Sequence, residues 1–223
     1  MALNEYTLSL LSQIEFTSVL SFGYPDIVVS RETLVEITGI EVEKVSGHGS
    51  GWHGVKFPLP DTLEFFRKKG VHLTCVDYKQ LRGYEIVADL NYPHDFGEFD
   101  VVIDPGTIEH CFNVSQAAFN AANSVKEGGY ILHVNPMSMV NHGFYNLSPT
   151  WYFDFYESNG FDVLRCFGVG KNFENDLPHK DRVIIPPEVS AYTLARRRVK
   201  TSLKPPIQAK YKKFLDQPEH FPK

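Results

Sequence analysis

An α/β fold, a mostly parallel sheet covered by helices, is what this 223-residue sequence predicts. Three observations carry the expectation. Short runs rich in Val, Ile, Leu and aromatic residues alternate with segments of helical character, the pattern of a sheet built from crossover units. Acidic residues follow directly on two of those runs, Asp77 after VHLTCV and Asp89 after EIVA, at the strand ends where open α/β sheets bind ligands. A hydrophobic content of 43%, with 13% aromatic, is enough to bury the core of one medium domain.

Ser18–Phe22 is the first strand. Ser30 caps a helix through Thr38 that Gly39 ends, and Asp61 caps LEFFRKKG, which Gly70 stops. Both helices fall before the second strand, Val71–Val76, and one crossover helix needs far less chain, so an insertion is expected at about 24–60. It contains SGHGSGWHG, Ser46 to Gly54, whose four glycines suit a ligand-covering loop or a connection. Further strands are expected at Glu85–Ala88, Asp100–Ile103, Tyr130–Val134 and Asp162–Phe167, with Arg182–Ile185 closing the edge. Ser115 begins a helix, SQAAFNAANSVKEGG, in which Ala118, Ala122 and Val125 form a small-residue face for close packing. Pro149 stands in the first turn of a helix whose Trp151, Phe155 and Tyr156 belong to the core.

The net charge of −5 is unevenly distributed. From Pro186 onward nine Lys/Arg face three Asp/Glu, a net +6, which leaves −11 on the first 185 residues. A domain over 1–185 followed by a basic extension over 186–223, strapped across an acidic body, is the expectation. That acidic balance argues against nucleic acid as a partner. No apolar run approaches the roughly 20 residues of a membrane span, and the N-terminus lacks the basic start and cleavage site of a signal peptide. A cytoplasmic protein is expected. Cys75, Cys111 and Cys166 are far apart and read as buried small hydrophobes.

Asp77 suits a ribose, because a carboxylate offers several lone pairs to a vicinal diol. Asp89 and the Leu90 backbone are placed to flank an adenine ring. The first strand, however, runs into VLSFGYPD, with Gly23 followed by Tyr24 and Pro25 where a nucleotide-binding turn usually has two or three glycines.

The stretch FDVVIDPGTIEHCFNV, a following helix and then KEGGYILHVNP resemble the middle of a class I S-adenosylmethionine-dependent methyltransferase. Phe99, Asp100, Ile108, Glu109, His110, Gly128 and Gly129 hold the matching places, with Asp77 and Asp89–Leu90 in register, over about Ser18 to Val169. The resemblance implies a three-layer, Rossmann-like, seven-stranded sheet with the last strand antiparallel. It implies S-adenosylmethionine as cofactor, held by Phe22, Gly23, Asp26, Asp77, Tyr78, Asp89, Leu90, Asp104, Pro105 and Gly106. Against the family's V-L-D-L-G-C-G-T-G pattern, Ser21 replaces the acidic residue that meets the methionine ammonium, and Tyr24–Pro25–Asp26 replaces the rest of the turn.

Methyl transfer needs alignment and, for some acceptors, a base. The catalytic candidates are His142 and His110, with Asn141, His142, Tyr145 and Asn146 lining the acceptor side. No metal site is expected, since no two of His48, His53, Asp104 and His110 stand at a helical or hairpin ligand spacing. The reading is methyl transfer to an oxygen or nitrogen of a small molecule; the alternative is a non-catalytic binding or assembly protein of the same fold that has lost cofactor binding. A nicotinamide-dependent oxidoreductase is disfavoured, because no G-x-G-x-x-G follows any strand.

Overall fold

A computed structural model of the chain describes residues 2–47 and 53–215. Its sheet begins at β2 (Ser18–Phe22), flanked by β4 (His72–Asp77) and then β5 (Glu85–Val87) on one side, and by β6 (Phe99–Asp104) and β7 (Val125–Pro136) on the other. These five strands run parallel. Beyond β7 the sheet continues with β10 (Ser190–Arg197), β8 (Phe161–Gly170) and β9 (Phe173–Asp176). The last strand in sequence, β10, is inserted antiparallel between β7 and β8. The implied seven-strand order with an antiparallel last strand is therefore present, extended at one edge by β9, which pairs antiparallel with β8.

Alternation along the strands divides the core in two. Leu20, Phe22, Val102 and Ile131 face one layer, where they meet α4 (Val114–Asn123) and α5 (Pro149–Ser158). Val19, Val101, Ile103 and Leu132 face the other, against α1 (Glu5–Ser12), α2 (Arg31–Thr38) and α3 (Thr62–Lys68). The close packing expected of α4 is realised by Ala117, Ala118, Ala121 and Ala122, all fully buried. Ser30 and Asp61 cap α2 and α3 as anticipated, each side chain accepting from the third amide of its helix.

Several expectations are corrected. Arg182–Ile185 forms no strand. The seventh strand is β10, so the sheet does not end at residue 185, and the basic extension begins with one of its interior strands. Asn113, not Ser115, caps α4, which stops at Asn123; the VKEGG that follows already belongs to β7. Its glycine pair is thus an irregularity within the strand, coinciding with a register shift against β6, and not a turn before it. The insertion holds α2 and β3 (Asp26–Ile27), which pairs in parallel with β1 (Ala2–Leu3). Neither this ribbon nor α1, capped by Asn4, was anticipated from the sequence. Most of the SGHGSGWHG stretch, residues 48–52, lies outside the described residues.

Candidate nucleoside-binding site

The C-terminal ends of β4 and β5 open onto a cavity of about 470 Å3. Val76, Asp77 and Tyr78 form one wall, Ala88 to Asn91 a second, and Gly106, Thr107, His110 and Cys111 a third. Parallel strands put successive C-terminal ends on one edge, so residues distant in sequence converge there. One carboxylate oxygen of Asp77, Oδ2, is buried and accepts no hydrogen bond from the protein. An unpaired buried carboxylate oxygen is costly, and a ligand hydroxyl removes that cost. Asp89 folds its own loop, accepting from the Asn91 amide (3.0 Å) and the Asn91 side chain (2.7 Å), and still lines the cavity beside Leu90.

The turn after β2 does not reach this cavity. Gly23 takes the left-handed conformation (φ 82°), and its amide donates to the Val76 carbonyl. Phe22 is fully buried in the core, and Ser21 donates to the Gly23 carbonyl at 2.7 Å. Tyr24 is buried beneath the Arg82 guanidinium, 4.3 Å from its ring centre. Arg82 also donates to Asp26 Oδ2 (2.7 Å), which His53 Nε2 approaches to 3.0 Å. Asp26 Oδ2 is therefore held by protein partners, while its Oδ1 is buried without a hydrogen bond. Of the positions expected to hold a cofactor, Asp77, Tyr78, Asp89, Leu90 and Gly106 line the cavity, whereas Phe22, Gly23, Asp26, Asp104 and Pro105 do not.

Asp104 is instead the hub of a buried polar network. Its Oδ1 accepts from the amides of Thr107 and Ile108, shaping the short 3-10 turn of Ile108–His110. Oδ2 receives His133 Nδ1 (2.7 Å) and Asn135 Nδ2 (2.8 Å). From α5, Tyr156 reaches His133 Nε2 (2.5 Å) and Tyr152 donates to Asn135 Oδ1 (2.8 Å). Such a network is rigid because every member is satisfied by another. The Asn135 side chain also donates to Glu109 Oε2 at 2.9 Å. Burial, reinforced by the nearby Asp104 charge, pushes the Glu109 carboxyl up to about 8.

Glu109 Oε1 is left without a hydrogen bond. It faces His142 Nε2 at 3.6 Å and His110 Nε2 at 3.8 Å. The two imidazole centres are 5.3 Å apart. Partial burial and the neighbouring His142 lower the His110 pKa. The structure thus brings both catalytic candidates together and adds Glu109, which the sequence singled out only as part of a matching tripeptide. Asn141, with φ 63°, lies within the turn that leads to His142, while Tyr145 ties the loop to the segment after β6 and Asn146 bonds within the loop. Tyr145 donates to the Phe112 carbonyl, and Asn146 accepts from the Met139 amide. No metal site is expected from the sequence, yet Glu109, His110 and His142 offer ligand atoms all within 4.8 Å of one another. His142 is 32 residues from His110 in sequence, so no local spacing reveals the set.

Comparison with protein-family models and with curated proteins returned no match. Among solved structures the chain is similar to TehB from Haemophilus influenzae, with a TM-score of 0.50 and 13% identity over 85% of this chain and 61% of that one. It is also similar to the O-methyltransferase of a trans-AT PKS multienzyme of Brevibacillus brevis in complex with S-adenosyl-L-homocysteine (TM-score 0.45, 10% identity, 74% and 54% covered). A third is the putative methyltransferase in complex with the Haloferax volcanii Trm112 methyltransferase activator (0.46, 12%, 86% and 87%). The chain spans about three fifths of TehB's length. Strand order and the TehB likeness show a Rossmann-like α/β fold. No helix among the described residues is long and apolar enough to cross a membrane.

Proposed function

We propose that this protein is an S-adenosylmethionine-dependent methyltransferase acting on an oxygen or nitrogen of a small molecule. The observation that carries the reading is the buried, unpartnered Asp77 Oδ2 at the strand edge, on the wall of a cavity of about 470 Å3. Asp77 binds the ribose diol, and Asp89 and Leu90 flank the adenine, with Tyr78 at the exposed mouth. The cofactor, when bound, supplies a methyl group activated on a sulfonium. His110 and His142, on the opposite wall and its rim, orient the acceptor. The three cysteines are free and buried, in keeping with a cytoplasmic setting.

Binding is expected to be weak, because Ser21 replaces a carboxylate and Asp26 is already paired. A lost charge-assisted hydrogen bond is worth about 1.5–3 kcal/mol, or roughly ten- to a hundredfold in affinity. Calorimetry with S-adenosylhomocysteine is the test: the wild type binds, and Asp77→Ala weakens binding at least tenfold. Equal binding by both proteins removes the ribose assignment. The filled turn of Tyr24, Arg82 and Asp26 favours a second reading, a nucleoside-binding protein of this fold that transfers no methyl group. Adenosine then binds as tightly as S-adenosylhomocysteine, whereas a methyltransferase holds the latter more tightly.

A further inference from the structure

We propose that Glu109, His110 and His142 form a binding site for one divalent first-row transition-metal ion, zinc foremost, at the rim of the cavity. Three ligand atoms converge from two segments: Glu109 Oε1 and His110 Nε2 from the turn after β6, and His142 Nε2 from the loop after β7. The separations of 3.6 and 3.8 Å are too long for hydrogen bonds. They are close to the roughly 3.3 Å between ligand atoms that metal–ligand distances near 2.0–2.1 Å impose on a tetrahedral site. A contraction of a few tenths of an ångström closes the two edges made by Glu109.

Glu109 supplies the second, independent observation. The residue is fully buried, yet Oε1 accepts no hydrogen bond. Its other oxygen is held by Asn135, itself anchored to Asp104 and Tyr152. Neighbouring groups that fix one carboxylate oxygen and leave the other aimed outward are how ligating carboxylates are oriented. The loop opposite is fixed too, since the Phe144 amide donates to the Glu109 carbonyl at 2.9 Å. A cation between the three side chains supplies the missing partner for Oε1.

Ligand type and exposure define the class of ion. Two imidazoles and one carboxylate suit zinc and its first-row neighbours better than calcium or magnesium, which prefer all-oxygen sets. His110 and His142 are about half exposed, 50% and 44% at the side chain, so coordination positions remain open toward solvent. Open positions characterise catalytic metal sites, as closed four-ligand sets characterise structural ones. Because His110 also lines the cavity, the ion stands at the cavity wall.

The site does not depend on the cofactor assignment, and its test omits any nucleoside. The full chain, stripped with a chelator and dialysed, is titrated with zinc chloride by calorimetry and with cobalt(II) chloride by visible absorption. One equivalent is expected to bind. His142→Ala and His110→Ala are each expected to weaken zinc at least tenfold and to abolish the cobalt absorption band. His72→Ala, at the opposite edge of the sheet, leaves both unchanged. Because His142 is exposed, its removal does not threaten folding. Absence of stoichiometric binding by the wild type, or His142→Ala binding as the wild type does, overturns the proposal.

Discussion

At the scale of single residues, charge is used in two contrasting ways. Asp77 keeps a carboxylate oxygen in reserve, whereas Asp100 spends both of its oxygens within the protein. Partial burial alone would raise the pKa of Asp100. Lys126 at 2.7 Å, the Thr17 amide and hydroxyl, and Ser18 reverse that effect and hold it well below the usual carboxylate range. A depressed folded-state pKa means that the unfolded chain takes up the proton first as pH falls. The stabilisation from Asp100 is therefore complete above its ordinary unfolded value near 4 and is lost progressively below it. Asp100→Asn is expected to lower the urea midpoint at pH 7, with the gap to wild type narrowing as pH falls below about 4. A gap that stays constant across that range would show Asp100 to act by shape and not by charge.

At the scale of elements, β7 joins the structural and the chemical halves of the molecule. It delivers His133 and Asn135 to the buried network at one end and accommodates the Gly128–Gly129 irregularity at the other. Gly129 is required by close approach: a Cβ there would stand 2.8 Å from the Asp100 carbonyl oxygen and 3.0 Å from that of Lys126. Both obstacles are backbone and do not swing aside. Gly129→Ala is expected to destabilise the protein by about 1–3 kcal/mol, measured as a lower denaturation midpoint at unchanged m-value. Unchanged stability would mean that β6 and β7 separate there at little cost. The loop after β7 shows the complementary behaviour, since Asn146 bonds within it, Tyr145 ties it to the Phe112 carbonyl, and His142 is left presented at its surface.

At the scale of the whole molecule, the basic C-terminal segment both builds the sheet and fastens it. Arg197 is fully buried in β10 and donates to the carbonyls of Ala122 and Val125. Past the strand, Arg198 pairs with Asp162, Lys200 with Glu98, and Lys204 exchanges backbone hydrogen bonds with the Asn159 side chain. Leu203 packs on the core. Two truncations separate the roles. A chain ending at Pro187 loses an interior strand and is expected not to fold. A chain ending at Val199 keeps β10 and is expected to fold but melt lower, with a deficit that shrinks in high salt because exposed ion pairs are screened. Equal melting of the 1–199 chain and the full chain would show the strap to be unimportant.

What the sequence determined by itself was local. Strand-forming runs, the Ser30 and Asp61 caps, the alanine face of α4 and the acidic residues at the ends of β4 and β5 are set by neighbours within a few positions, so periodicity and capping chemistry reveal them. Tertiary structure alone decided the rest. β10 was hidden because SAYTLARR ends in charges that read as a solvated tail, and only the carbonyls of α4 and β7 explain a buried Arg197. Asp26, expected from the sequence to hold the cofactor, is instead bound at Oδ2 by Arg82, 56 residues away. Glu109 and His142 meet because parallel strands stack distant segments at one sheet edge. The distance across that edge is set by strand spacing and not by position along the chain.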